Sequence, residues 1–204
     1  MQEKDSSFLY TFLEKKNLLQ ESPKYWWPHA GSFEVVVGAV LTQNTTWKNV
    51  ERSLENLRGY LELETFVKLD EVYLKEKIRP SGFYNQKAPR LLNLAKKIEA
   101  EFGDFHSFQK RVSRDWLLSQ KGIGEESADA ILCYGCFREE MVVDTYTKRL
   151  LSEFQIEFKK YDAYKEFLEV GMQKRYKKDL NLHYARFHGM IVEYNKQKKL
   201  KSLH

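Results

Sequence analysis

Cysteine is scarce in this chain: two among 204 residues, Cys133 and Cys136. Two thiols cannot build a disulfide framework, so the small disulfide-stapled class is excluded and a reducing cytoplasm is the expected compartment. Long apolar runs are missing too. No stretch approaches the roughly 20 residues that span a bilayer. Residues 1–5 are charged where a secretion signal would be apolar, so no membrane partner is expected. Proline is limited to four residues, and no segment sustains the period-two alternation of a half-buried strand. Internal repeats and low-complexity linkers are absent.

What is present is helical spacing on an apolar, basic background. Hydrophobic residues make up 42% of the chain, enough for a packed interior. The net charge of +5 and pI of about 9.0 favour an anionic partner. Phe33, Val36, Val37, Val40 and Leu41 share a helical face, and 35–41 is apolar nearly all round, which predicts a buried helix. Further helices are predicted over 49–60, 87–102, 113–119, 125–137, 144–154, 161–173 and 182–198, with a turn at Pro80-Ser81-Gly82.

Two short segments carry the chemistry. Gln120-Lys121-Gly122-Ile123-Gly124 is a glycine turn between two helical patterns. Such a turn can aim backbone N–H groups at a phosphate, with Gly122 and Gly124 taking conformations that a Cβ forbids. An ordinary helix–helix turn is the plainer reading. The flanks, Trp116, Leu117 and Leu118 before the turn and Ala128, Ile131 and Leu132 after it, supply the packing of a helix-hairpin-helix. Twenty residues beyond Gly124, Asp144 follows the apolar run Met141-Val142-Val143. It reads first as the N-cap of the next helix, a role that can coexist with that of a carboxylate able to stabilise a developing cation.

Residues 118–132 resemble the hairpin of the DNA glycosylase superfamily typified by endonuclease III, with Lys121 where that family carries proline. Val143-Asp144-Thr145 matches the family's Val-Asp-Thr run, and Arg149 its following arginine. The resemblance implies that Asp144 is the catalytic carboxylate. It also implies that Lys121, Gly122 and Gly124 meet a DNA phosphate, and that carbonyls of Leu118, Gln120 and Ile123 hold a monovalent cation. Bifunctional members place a lysine nucleophile where this chain has Glu126, which cannot form an imine; water is therefore the expected nucleophile. The four C-terminal cysteines of an iron–sulfur cluster have no counterpart, so no cluster and no other cofactor are expected. Cys133 and Cys136 read as buried free thiols, and His183 and His188, five residues apart, as structural rather than a metal pair.

Tyr25-Trp26-Trp27-Pro28 and Trp47 either pack the junction of the terminal helices or stack on an extruded base. The layout is similar to that of the endonuclease III-like 3-methyladenine DNA glycosylases, which implies a base pocket of Trp26, Trp27, Pro28 and Trp47. Electron-rich indole faces suit positively charged alkylated purines. Thr42-Gln43-Asn44-Thr45 and Gly82-Phe83-Tyr84-Asn85-Gln86-Lys87-Ala88 resemble the family's two DNA-probing segments. Gln43 would then fill the space of the extruded nucleotide and Phe83 would wedge the opposite strand. Their plainer readings are a helix C-cap and a buried loop anchor.

The resemblance implies an all-α, two-lobed helix-hairpin-helix DNA glycosylase fold with a central cleft. Its central helical domain spans 31–142, with the hairpin at about 113–136, and 1–30 plus 143–204 form the second domain. The expected activity is monofunctional excision of alkylated bases, 3-methyladenine foremost, from double-stranded DNA, by a cytoplasmic, nucleoid-associated monomer. The rivals are an endonuclease III-like glycosylase/AP lyase for oxidised or mismatched bases and a non-catalytic DNA-binding module.

Overall fold

A computed structural model describes residues 5–201 and contains no strand among them. The helices are α1 (Ser7–Glu14), α2 (Phe33–Leu41), α3 (Trp47–Asn56), α4 (Leu63–Phe66), α5 (Glu71–Lys77), α6 (Tyr84–Phe102), α7 (Phe105–Arg111), α8 (Arg114–Leu118), α9 (Glu125–Ala130), α10 (Thr145–Glu153), α11 (Tyr161–Arg175) and α12 (Leu180–Lys201). No helix of the described residues is long and apolar enough to cross a membrane. The chain forms two compact units, one from Met1–Ala30 with Phe137–His204, the other Gly31–Cys136.

In the Gly31–Cys136 unit, α2 is the central element. Every residue from Val35 to Leu41 is buried, as is Phe33, which answers its lack of a polar face. Each such large apolar side chain contributes roughly 1.5–3 kcal/mol on burial. Leu91, Leu94, Ala95 and Ile98 line the inner face of α6, and Phe33, Phe66 and Phe108 are fully buried. α6 begins at Tyr84, before the predicted start at 87, and accommodates Pro89 in its second turn. α4, α5 and α7 were not predicted. They are short, and α5 and α7 are set by side-chain caps: Asp70 accepts from Val72 N (2.8 Å) and Asp104 from Ser107 N (2.6 Å). The predicted 125–137 helix is α9 followed by a π turn over Ile131–Gly135, where Cys136 N reaches Ile131 O at 3.1 Å. Cys133 and Cys136 are buried and not joined in a disulfide.

In the unit of the two chain ends, α1 packs on α11 and α12, and α10 on α12. Leu9, Leu13, Met141, Val143, Leu150, Leu168, Met172, Tyr184, Phe187 and Ile191 share one core. Met141 therefore belongs with the terminal helices, and the chain enters this unit at Phe137, ahead of the boundary set at 142. The approach to Asp144 is tied down on both sides: Met141 N donates to Glu169 Oε1 (3.0 Å) and Val143 N to the Tyr161 hydroxyl (3.2 Å).

Candidate active site

The hairpin joins α8 to α9. Ser113 caps α8 by accepting from Trp116 N (3.1 Å), and Gln120, buried, folds back so that its Nε2 donates to Trp116 O (2.8 Å). Gly122 has φ +89°, a conformation that a side chain disfavours, and a Cβ there would meet Arg90 Cδ at 2.6 Å. Gly124 is different: at φ −98°, ψ 178° it is ordinary extended backbone. The expectation that both glycines need forbidden conformations is thus corrected for Gly124, whose missing Cβ instead leaves open space above the turn. The N–H groups of Gly122 and Gly124 have no acceptor among the described residues, and Lys121 is exposed beside them. Glu126 is exposed in the first turn of α9, where the helix dipole favours an acid.

Gln43 is not the C-cap of α2; Thr42 takes that place, its hydroxyl donating to Gly38 O (2.7 Å). Gln43 Nε2 donates to Gly122 O and to Ser127 Oγ, both at 2.9 Å, so its amide braces the hairpin from α2. Phe83 is no buried anchor: it is 60% exposed, at φ +48°. A bulky residue held in left-handed backbone and presented to solvent is the kind of local strain that accumulates at working surfaces. Trp47 is half-buried at the start of α3.

Lys87 was missed as a supporting residue. It is 2% exposed, and its Nζ donates to Leu41 O (2.8 Å) and Ser81 O (2.9 Å), joining the segment that leads to Gln43 with the one that leads to Phe83. Burial pushes its ammonium down to about 8 from the usual 10.5. Between those values the unfolded chain holds a proton that the folded chain has released. The contribution of Lys87 to stability should therefore rise with pH from about 8 to 10.5, by up to about 3 kcal/mol. Urea unfolding at pH 7.5 and 9.5 should show that rise in the wild type, relative to Lys87→Met.

In the other unit, Asp144 is the N-cap of α10. Its Oδ1 accepts from Thr147 N (2.7 Å) and Thr147 Oγ1 (2.9 Å), while Oδ2 lies 3.4 Å from His188 Nε2. Burial alone would raise this carboxyl. His188 and the Thr147 hydrogen bonds outweigh it and hold the group below its usual value, hence ionised at neutral pH. His183 is structural, stacked on Tyr176 (3.5 Å) and 3.2 Å from the Tyr10 hydroxyl. His188 faces the Asp144 carboxylate. A spacing argument directed at metal pairs could not find that contact.

Trp26 has φ +67° and lies against α12. Its Nε1 donates to Glu193 Oε1 (3.1 Å), its ring meets His188 edge-on (5.4 Å, 89°), and Lys196, bonded to Glu193 (2.9 Å), stands 5.8 Å from the ring centre. Gly189 permits this packing, since a Cβ there would meet Trp26 Cγ at 2.4 Å. Trp27 is buried, with its ring edge-on to Trp26 at 6.2 Å, and Pro28 is half-buried. Asp144, His188 and Trp26 are thus one connected group.

The family model for the HhH-GPD superfamily base excision DNA repair protein matches residues 37–174. The chain belongs to that superfamily, as a DNA base-excision repair glycosylase. It is 46% identical over 181 residues to a Methanocaldococcus jannaschii protein whose name, DNA repair glycosylase MJ1434, is itself provisional; the match covers 84% of this chain and 80% of that one. The crystal structure of the H. pylori 3-methyladenine DNA glycosylase MagIII, bound to 1,N6-ethenoadenine, is 45% identical with a TM-score of 0.91, covering 96% of this chain and 99% of that one. A non-covalent endonuclease III–DNA complex shares the fold at a TM-score of 0.69 and 15% identity, over 93% of this chain and 85% of that one.

Proposed function

We propose that this glycosylase removes alkylated purines, 3-methyladenine foremost, from duplex DNA by direct hydrolysis, with Asp144 as the catalytic carboxylate. The observation that carries the reading is the connected group of Asp144, His188 and Trp26, which sets a carboxylate held ionised beside an indole. The similarity to a 3-methyladenine glycosylase over nearly the whole chain supports the choice of substrate.

Breaking the N-glycosidic bond leaves positive charge on the deoxyribose, and a carboxylate in a partly dry site stabilises it. An N-alkylated purine already carries positive charge, so it departs with the bonding electron pair as a neutral base and needs no protonation. Water then adds to the anomeric carbon and gives its proton to Asp144 or to solvent, leaving an abasic site. Glu126, a carboxylate, cannot supply the amine of a lyase. Trp26, Trp27 and Pro28 supply surface for the cationic base. The unengaged N–H groups of Gly122 and Gly124, with Lys121, hold a phosphate. Carbonyl oxygens of Leu118, Gln120 and Ile123 suit a hard monovalent cation, which would steady the turn. Gln43 Oε1, without a partner among the described residues, is the atom left to meet an orphaned base, and Phe83 is the wedge.

The test is incubation with methylated duplex DNA and identification of the released base. Free 3-methyladenine, with no protein–DNA adduct after borohydride, is the expected result. A trapped adduct defeats hydrolysis by water, and DNA binding without release of any base favours a non-catalytic module. Phe83→Ala should weaken binding to damaged duplex by about tenfold, equivalent to ~1.4 kcal/mol, with little change in melting temperature, because Phe83 is 60% exposed and little burial is lost.

A further inference from the structure

We propose that His188 is a positioning residue: it orients the free oxygen of Asp144 and braces the Trp26 indole, so that carboxylate and indole are held as one piece. This rests on the reading of Asp144 and Trp26 given above. Asp144 has two oxygens with different duties. Oδ1 is occupied by the Thr147 amide and hydroxyl at the start of α10. Oδ2 is therefore the one left for chemistry, and the polar group facing it is His188 Nε2 at 3.4 Å. Oδ1 alone leaves the carboxylate free to pivot about its capping bonds; a second contact at Oδ2 removes that freedom.

The same imidazole meets Trp26 edge-on, and one residue further along α12 Gly189 lets the indole lie down on the helix. Glu193 then fixes the indole Nε1. His188 itself is 4% exposed, so its ring cannot swing out to solvent without opening the core around it. An apolar residue of similar size would fill the space more cheaply than a buried imidazole. What it could not do is face a carboxylate. The groups acting on Asp144 are few. His188 comes from α12 and Thr147 from its own helix. The Tyr161 hydroxyl of α11 is taken up by Val143 N, while Glu193 and Lys196 pair with each other beside Trp26. Removing His188 therefore leaves the carboxylate its burial without the imidazole contact that offsets it, and the ionisation should move toward higher pH.

The experiment measures single-turnover excision from a 3-methyladenine duplex against pH, with DNA affinity measured separately, for wild type, His188→Leu, His188→Gln and Asp144→Asn. His188→Leu should lower the excision rate by about 10- to 100-fold, leave DNA affinity within about twofold, and shift the acid limb of the profile upward. His188→Gln, which keeps a donor near Oδ2, should recover much of the neutral-pH rate. Equal losses in both variants with an unmoved acid limb would mean a packing role and overturn the proposal; so would wild-type rates in His188→Leu. If His188→Leu does not fold, the position of the acid limb in His188→Gln decides alone. Excision retained by Asp144→Asn sinks the underlying reading of the carboxylate. Excision lost there but normal in the His188 variants sinks this inference alone.

Discussion

Asp144→Asn should yield a folded protein that binds damaged duplex and releases almost no base. The two duties of Asp144 separate in this variant. As a cap it needs only an oxygen able to accept from Thr147 N, and asparagine keeps one; asparagine and aspartate rank together at this position. As a catalyst it needs negative charge, and the amide has none. The excision rate should fall by about 10²–10³-fold, while stability to urea at neutral pH falls only by the part that the charge itself contributes. Asp144→Ala is the contrasting variant, losing both duties and adding about 1 kcal/mol of destabilisation. Acid should show the link directly. The folded-state ionisation of Asp144 lies below its unfolded value of 3.8. Its stabilising contribution is thus complete above that value and is lost as pH falls through the folded one. The alanine variant should lack that portion of the acid transition.

Gly189→Ala should cost both stability and activity through a single methyl group. The new Cβ would stand 2.4 Å from Trp26 Cγ and 2.7 Å from its Cβ, closer than any real contact, so the indole has to move. In a well-packed site an added carbon of this kind destabilises by about 1–3 kcal/mol. Better helix propensity of alanine, about 1 kcal/mol, offsets part of that. Displacing the indole by about 1 Å should cost on the order of 10²-fold in excision. Trp26 also loses its alignment with Glu193, which tryptophan fluorescence should register. A Gly189→Ala protein with wild-type melting and wild-type excision would show that Trp26 has another place to lie.

Much of the architecture was legible along the chain, and the reason differs from element to element. α2 could be found because seven consecutive apolar residues leave no polar face, so burial is the sole outcome. The α8–α9 hairpin could be found because apolar flanks on both sides of two glycines mark a turn between two packed helices. Asp144 could be placed because a cap and its helix are neighbours in sequence. The short α4, α5 and α7 carry too few turns for a period to emerge, and their caps become meaningful only once the helix is known. Contacts made across long separations were not legible. Nothing about His188 announces a carboxylate 44 residues earlier, nor does Gly189 announce an indole near the opposite end of the chain. Gln43 showed the same limit in another form. Whether its amide faces outward or braces Gly122 is decided by the distance from α2 to the turn, which the residue order does not encode.

The pairing of α1 with α11 and α12 imposes an order on synthesis. Leu9 and Leu13 leave the ribosome before the surfaces that cover them, including Leu168, Phe187 and Ile191, have been made. Meanwhile Gly31–Cys136, a compact unit built from one continuous stretch, can collapse as soon as it emerges. The nascent protein should therefore pass through a stage with one finished half and an amphipathic leading helix exposed, a form that chaperones bind and proteases cut. Emergence of α12 ends that exposure, and the carboxylate and the indole reach their places together at that moment.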